Sequence, residues 1–125
     1  MIILDSSAVL ALLWNEPGED RVVSHLSEST MSTVNHSEVL ARLIDRGPSP
    51  KEATKTLEAL RIGLIAFDRA QCELAGMLRS TTAHLGLSLG DRACLALAMI
   101  TGRPVLTADR PWAELDIGVD IRLIR

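Results

Sequence analysis

Ile2-Ile3-Leu4 is an unbroken apolar run stopped by a carboxylate, Asp5. A strand wetted on one face alternates apolar and polar side chains. A run with no alternation is buried on both faces, as in a parallel sheet covered by helices. Leu64-Ile65-Ala66-Phe67 and Pro104-Val105-Leu106-Thr107 read as further strands, Thr30-Met31-Ser32 is a candidate second strand, and a last strand is expected over 119–124. Between them the apolar positions repeat at helical spacing: over 6–14, capped by Ser6 or Ser7, over 19–27, and over 34–46, where Val39, Leu40, Leu43 and Ile44 form one stripe. Further helices are expected from Pro50 to the stop at Gly63, over 68–85 as one long helix capped by Asp68, and over 90–101. Strands alternating with helices predict an α/β fold. The expected form is a three-layer α/β/α sandwich around a central, mainly parallel sheet, with 1–125 as a single domain.

Composition narrows the function classes. The net charge is −3, and the aromatic residues are only Trp14, Trp112 and Phe67. That balance argues against a passive binder of nucleic acid, which needs a basic face, and against one working through base-stacking platforms. Cys72 and Cys94 lie far apart within apolar helical patterns, and His25, His36 and His84 form no zinc-like cluster, so both thiols are expected to be buried and reduced. No apolar stretch approaches the ~20 residues of a membrane span, and no cationic segment precedes the first apolar run. A soluble, cytoplasmic protein is expected, with no membrane partner.

Ligands of open parallel sheets bind outside the carboxyl ends of the strands. Asp5 and Asp109 each directly follow an expected strand, Glu38 sits early in the helix after the second strand, and Asp91 falls in the first turn of the 90–101 helix. All four are thus expected at one edge, converging within a few ångströms. Carboxylates so placed repel unless cations neutralise them. Mg²⁺ or Mn²⁺, hard ions that take oxygen ligands and keep water, fit such a set and suit phosphodiester hydrolysis. Each acid also has a plainer reading: Ser88-x-x-Asp91 as a capping box, Asp109 as a turn residue, Glu38 as a solvated helix position. The signal is the set. Thr107, two residues before Asp109 on an extended segment, points to the same side and is a supporting candidate, as is Ser6 beside Asp5. Arg92 and Arg110 each follow a site acid and either meet substrate phosphate or balance local charge. Asp116 is expected at the surface.

These segments resemble those of PIN-domain nucleases. Ile2-Ile3-Leu4-Asp5-Ser6-Ser7 resembles their opening strand, and Thr33-Val34-Asn35-His36-Ser37-Glu38-Val39 the helix bringing the second acid. Leu87-Ser88-Leu89-Gly90-Asp91-Arg92-Ala93-Cys94 is similar to the segment of the third, and Leu106-Thr107-Ala108-Asp109-Arg110-Pro111-Trp112 to that of the fourth. The resemblance spans the chain, at the length of VapC-type toxins, with Trp112 where many relatives carry Phe. It implies a PIN-like fold and Mg²⁺- or Mn²⁺-dependent endonucleolytic cleavage of RNA. Asp5, Glu38, Asp91 and Asp109 would be the catalytic and metal-binding residues. A cognate antitoxin and a homodimer are implied as partners. The aliphatic excess of 9–14 and 39–44 is consistent with a partner helix covering part of the surface.

Competing α/β readings fail on particular residues. A receiver-like signalling domain needs an acidic pair and a late-strand lysine, whereas Ser6 follows Asp5 and the only lysines are Lys51 and Lys55. A haloacid-dehalogenase-like phosphatase needs a second acid where Ser7 stands. Two alternatives within the fold stay open: a non-catalytic scaffold, which should have lost at least one of the four carboxylates, and, more seriously, a flap- or 5′-nuclease-like activity on DNA, whose known bearers are usually longer and richer in basic residues.

Overall fold

The computed structural model describes residues 1–125. Five parallel strands form one sheet: β1 (Ile2–Leu4), β2 (Ser29–Ser32), β3 (Gly63–Ile65), β4 (Val105–Thr107) and β5 (Ile121–Leu123), in the order β3-β2-β1-β4-β5. Helices α1 (Ser6–Leu13), α2 (Glu19–His25), α3 (Thr33–Asp45) and α4 (Pro50–Glu58) precede or follow the first strands. Helices α5 (Arg69–Met77), α6 (Arg79–Thr82) and α7 (Leu89–Thr101) come between β3 and β4.

The unalternating runs behave as their physics requires. Successive strand side chains point to opposite faces, so Ile2 and Leu4 enter a core with Val9, Met31, Val39 and Leu106, while Ile3 enters a second core with Leu95, Val105 and Trp112. Helices α1 to α4 cover the first face, and α5 and α7 cover the second. The three-layer α/β/α sandwich is thus present, and its sheet is wholly parallel. The chain begins at the centre, winds outward through β2 and β3, then returns to build β4 and β5 on the other side. The order reverses between β1 and β4, the switch point where such sheets open a crevice.

Four expectations need correction. The helix expected over 68–85 is broken: α5 ends at Met77, α6 is a single turn, and a 3-10 turn runs over Ala83–Leu85 to Gly86 at φ 62°. The Ser80 and Thr82 hydroxyls donate to the carbonyls of Met77 and Leu78 at 3.0 and 2.7 Å, competing with the helical ladder. Strand β3 starts at Gly63 and stops at Ile65, and the Phe67 amide donates to the Thr33 hydroxyl instead of a strand neighbour. Cys72 is exposed, because the buried row of α5 is Gln71 and Ala75; only Cys94 is buried. Finally, Asp5, not Ser6 or Ser7, holds the N-cap position of α1, which frees both hydroxyls for other partners. Asp68 does cap α5, accepting from the Gln71 amide at 3.0 Å. No single helix is long and apolar enough to cross a membrane.

Candidate active site

At the switch point the ends of β1 and β4 are tied through one carboxylate. Oδ2 of Asp5 accepts from the Ser7 hydroxyl at 2.6 Å and the Thr107 hydroxyl at 2.9 Å. Those hydroxyl oxygens in turn accept from the amides of Ala108 and Asp109, at 2.9 and 3.0 Å. Every side-chain donor reaching Asp5 uses Oδ2, so Oδ1 has none. Burial raises the Asp5 carboxyl from 3.8 to about 6; the Ser7 and Thr107 hydrogen bonds moderate the rise, and the Asp91 charge adds to it.

Glu38 is placed by a second network. Ser6 Oγ donates to its Oε1, and Asn35 Nδ2 donates to Ser6 Oγ at 3.1 Å and to the Gly90 carbonyl at 3.0 Å. Asn35 is wholly buried and sits one turn before Glu38 on α3, so it ties that helix to both α1 and α7. The Glu38 carboxylate lies directly on Gly90: a Cβ there would sit 2.7 Å from Oε2.

Asp91 has the plainer role expected of it. It completes the capping box of α7, its Oδ2 accepting from the Ser88 amide at 2.9 Å and its amide donating to Ser88 Oγ at 3.2 Å. It also lines the crevice. Asp109 is raised by partial burial and then by the Asp91 charge. The buried Trp112 indole N–H, which completes no hydrogen bond, offsets that only in part.

The four carboxylates line one cleft of about 280 Å³, together with Ser6 and Ser7. They ring it without closing on a point: no three Asp, Glu, His or Cys side chains stand close enough to hold one ion between them. This corrects the expected convergence within a few ångströms. The cause is visible in the networks, which tether oxygens of Asp5, Glu38 and Asp91 to the cleft walls. An all-oxygen set spaced this way fits Mg²⁺ or Mn²⁺, which binds through one or two carboxylates and keeps several waters. It does not fit zinc, which wants tight tetrahedral nitrogen or sulfur ligands.

The family model for the PIN domain matches residues 2–118. The chain belongs to the PIN-domain family. A Ribonuclease VapC from Mycolicibacterium smegmatis is 27% identical, over 93% of this chain and 97% of the relative. Among solved structures, a DNA-bound VapBC from Salmonella typhimurium superposes with a TM-score of 0.77 at 17% identity, covering 99% of this chain and 98% of the other. A toxin-antitoxin complex from Klebsiella pneumoniae gives 0.76 at 16% identity, covering 100% and 98%.

Other candidates in this PIN domain fall outside the cleft. Arg92 donates to the Ala75 carbonyl at 2.9 Å, and Arg110 to the Arg125 carbonyl at 3.3 Å, so neither guanidinium lines the cleft. His25 pairs with Glu28 at 2.9 Å, and neither His36 nor His84 lines the cleft. Asp116 is exposed. Trp112 is fully enclosed in the second core, which accommodates the larger ring. Ser7, Asn35 and Gly90, which hold or abut the cleft acids, were not among the expected site residues. Asn35 carried a usable signal, three positions before Glu38 and therefore on its helix face.

Proposed function

We propose that this PIN domain is a Mg²⁺- or Mn²⁺-dependent endoribonuclease acting in the cytoplasm as the toxin of a toxin–antitoxin pair, with Asp5, Glu38, Asp91 and Asp109 as its catalytic and metal-binding residues. The observation that carries the reading is the set of four carboxylates lining one cleft at the β1/β4 switch point. Support also comes from the relative named Ribonuclease VapC, and the VapBC structures make a cognate antitoxin the natural partner to seek. A homodimer is part of the same reading.

The divalent ion supplies charge neutralisation at the phosphodiester and a water made acidic enough to attack. The protein's own residues do the placing. Ser7 and Thr107 hold Oδ2 of Asp5, and the carboxylate so oriented would help hold the cation. Ser6, itself held by Asn35, fixes the Glu38 carboxylate against the first turn of α7, where it would serve to take a proton from water. The α7 capping box fixes Asp91, and the Thr107 hydroxyl anchors the Asp109 backbone. Bringing a cation to Asp5 and Asp109 favours their ionised forms, which burial and the Asp91 charge otherwise disfavour.

Purified protein should cut a labelled RNA internally with Mn²⁺ and stop in excess EDTA. Expressed alone it should arrest growth, and co-expressed with the neighbouring reading frame it should purify as an inactive complex. Cleavage that persists in EDTA overturns the metal-dependent reading. Harmless expression with no neighbour-encoded partner overturns the toxin reading.

A further inference from the structure

The cleft does not end at the acids. α1 and its C-cap residue line it with Ser6, Leu10 and Trp14, and α3 and its C-cap residue with Glu38, Arg42 and Arg46. Each trio is spaced i, i+4, i+8, so each forms a row along one helix face, and eight residues of helix span about 12 Å. The furrow therefore runs from a carboxylate and hydroxyl end to a guanidinium and indole end. At the outer end the guanidinium carbons of Arg46 and Arg42 lie 3.4 and 5.5 Å from the centre of the Trp14 ring. Neither guanidinium makes an ion pair, whereas Glu16, the acid beside them, is paired with Arg125 at 3.6 Å. An indole face attracts a guanidinium and limits its rotamers while leaving its N–H edge unspent.

We propose that the Arg42–Trp14–Arg46 stack is the subsite for the sugar-phosphate backbone of single-stranded RNA flanking the scissile bond. This rests on the ribonuclease reading above and adds to it where the strand lies. A chain of net charge −3 with an acidic cleft repels a polyanion, so attraction must be local. Two uncompensated guanidiniums at the mouth of the furrow provide it, in the planar fork that pairs bidentately with phosphate. Arg42 and Arg46 stand about one and two helical turns beyond Glu38, which suits them to phosphates neighbouring the one under attack. Arg92 and Arg110, although next to site acids in sequence, are committed to backbone carbonyls. The furrow thus gives the strand a direction: scissile phosphate at the acids, flanking nucleotides along the α1/α3 seam.

The test compares wild type, Arg42→Ala/Arg46→Ala and Arg42→Lys/Arg46→Lys in Mn²⁺ on two substrates, a single-stranded RNA oligonucleotide and bis(p-nitrophenyl) phosphate. The alanine pair should lower kcat/KM at least roughly tenfold more on RNA than on the small diester, with the loss falling on KM. The log–log salt slope of RNA binding should shrink by about 0.7 for each phosphate contact removed. The lysine pair should recover part of both, as point charges without the fork. Equal losses on both substrates would overturn the subsite, because the arginines would then be supporting the acids themselves. So would unchanged RNA kinetics, including the case where the pair instead loses the neighbour-encoded protein, which would make this face a protein contact. Wild type that hydrolyses the diester but no RNA overturns the ribonuclease reading instead, a result distinguishable from either.

Discussion

The Thr107 hydroxyl donates to Oδ2 of Asp5 at 2.9 Å across 102 residues of chain, and its oxygen accepts the Asp109 amide at 3.0 Å. One buried hydroxyl therefore orients one site acid and anchors the backbone of another. Thr107→Val keeps the shape and removes both bonds. Hydrogen bonds to the ionised form lower a carboxyl's pKa, so their loss should push Asp5 in the metal-free protein above its value of about 6. The orphaned Asp109 amide should cost about 1–2 kcal/mol of stability. Carboxyl titration by NMR and denaturant unfolding measure the two effects, and Thr107→Ser should reverse both. An Asp5 titration unmoved in Thr107→Val would show that the hydroxyl is only a packed strand residue.

Asp5 also makes metal-free stability depend on pH. Its folded value is raised to about 6 from 3.8, so the native state keeps a proton that the unfolded chain has released. Stability from this group is therefore complete below about 4, falls as pH climbs to about 6, and is flat above; two pKa units correspond to about 3 kcal/mol. Asp5→Asn should be more stable than wild type at neutral pH without metal, with the gap opening across that window. Mn²⁺ at a hundred times its Kd should stabilise wild type by about 2.7 kcal/mol and the variant far less. A thermal melt series with and without Mn²⁺ decides it, and a wild type indifferent to millimolar Mn²⁺ would mean no preformed cation site.

Gly90 separates stability from activity. It lies in the first turn of α7 without positive φ, and alanine is the better helix former by about 1 kcal/mol. Its added Cβ would meet Glu38 Oε2 at 2.7 Å, so the carboxylate must leave its seat. Gly90→Ala should melt within a few degrees of wild type yet lose RNA cleavage by at least tenfold. Adding Glu38→Gln should then cost little more, because both changes disable one group. Fully additive losses would mean that Gly90 does not act through Glu38.

Much of the architecture is legible because its signals are local. Ile2-Ile3-Leu4 and Val105-Leu106 need no partner to declare themselves doubly buried, and the acids that follow them fall at the sheet's carboxyl edge as a consequence. The Asp68 cap and the Ser88–Asp91 box are likewise short-range. What escaped depends on distant chain. Ser7 reads as a cap until Ala108, 101 residues away, is seen donating to it, and Gly90 reads as an ordinary first-turn residue until Glu38 is seen lying on it. The i, i+4, i+8 row of Glu38, Arg42 and Arg46 is present in the sequence. Its meaning comes from Trp14 at the end of a different helix, which no periodicity within α3 reports.

The central claim, that the four carboxylates act as one cation-dependent site on RNA, is tested most directly at Asp91. Asp91→Asn keeps an oxygen to accept from the Ser88 amide, so α7 should remain capped and the fold intact by circular dichroism. Cleavage of a labelled RNA in Mn²⁺ by this variant should fall by orders of magnitude below wild type and approach the level of wild type in excess EDTA. Wild-type cleavage by Asp91→Asn would make Asp91 a helix cap and nothing more, and the four-carboxylate site would be wrong.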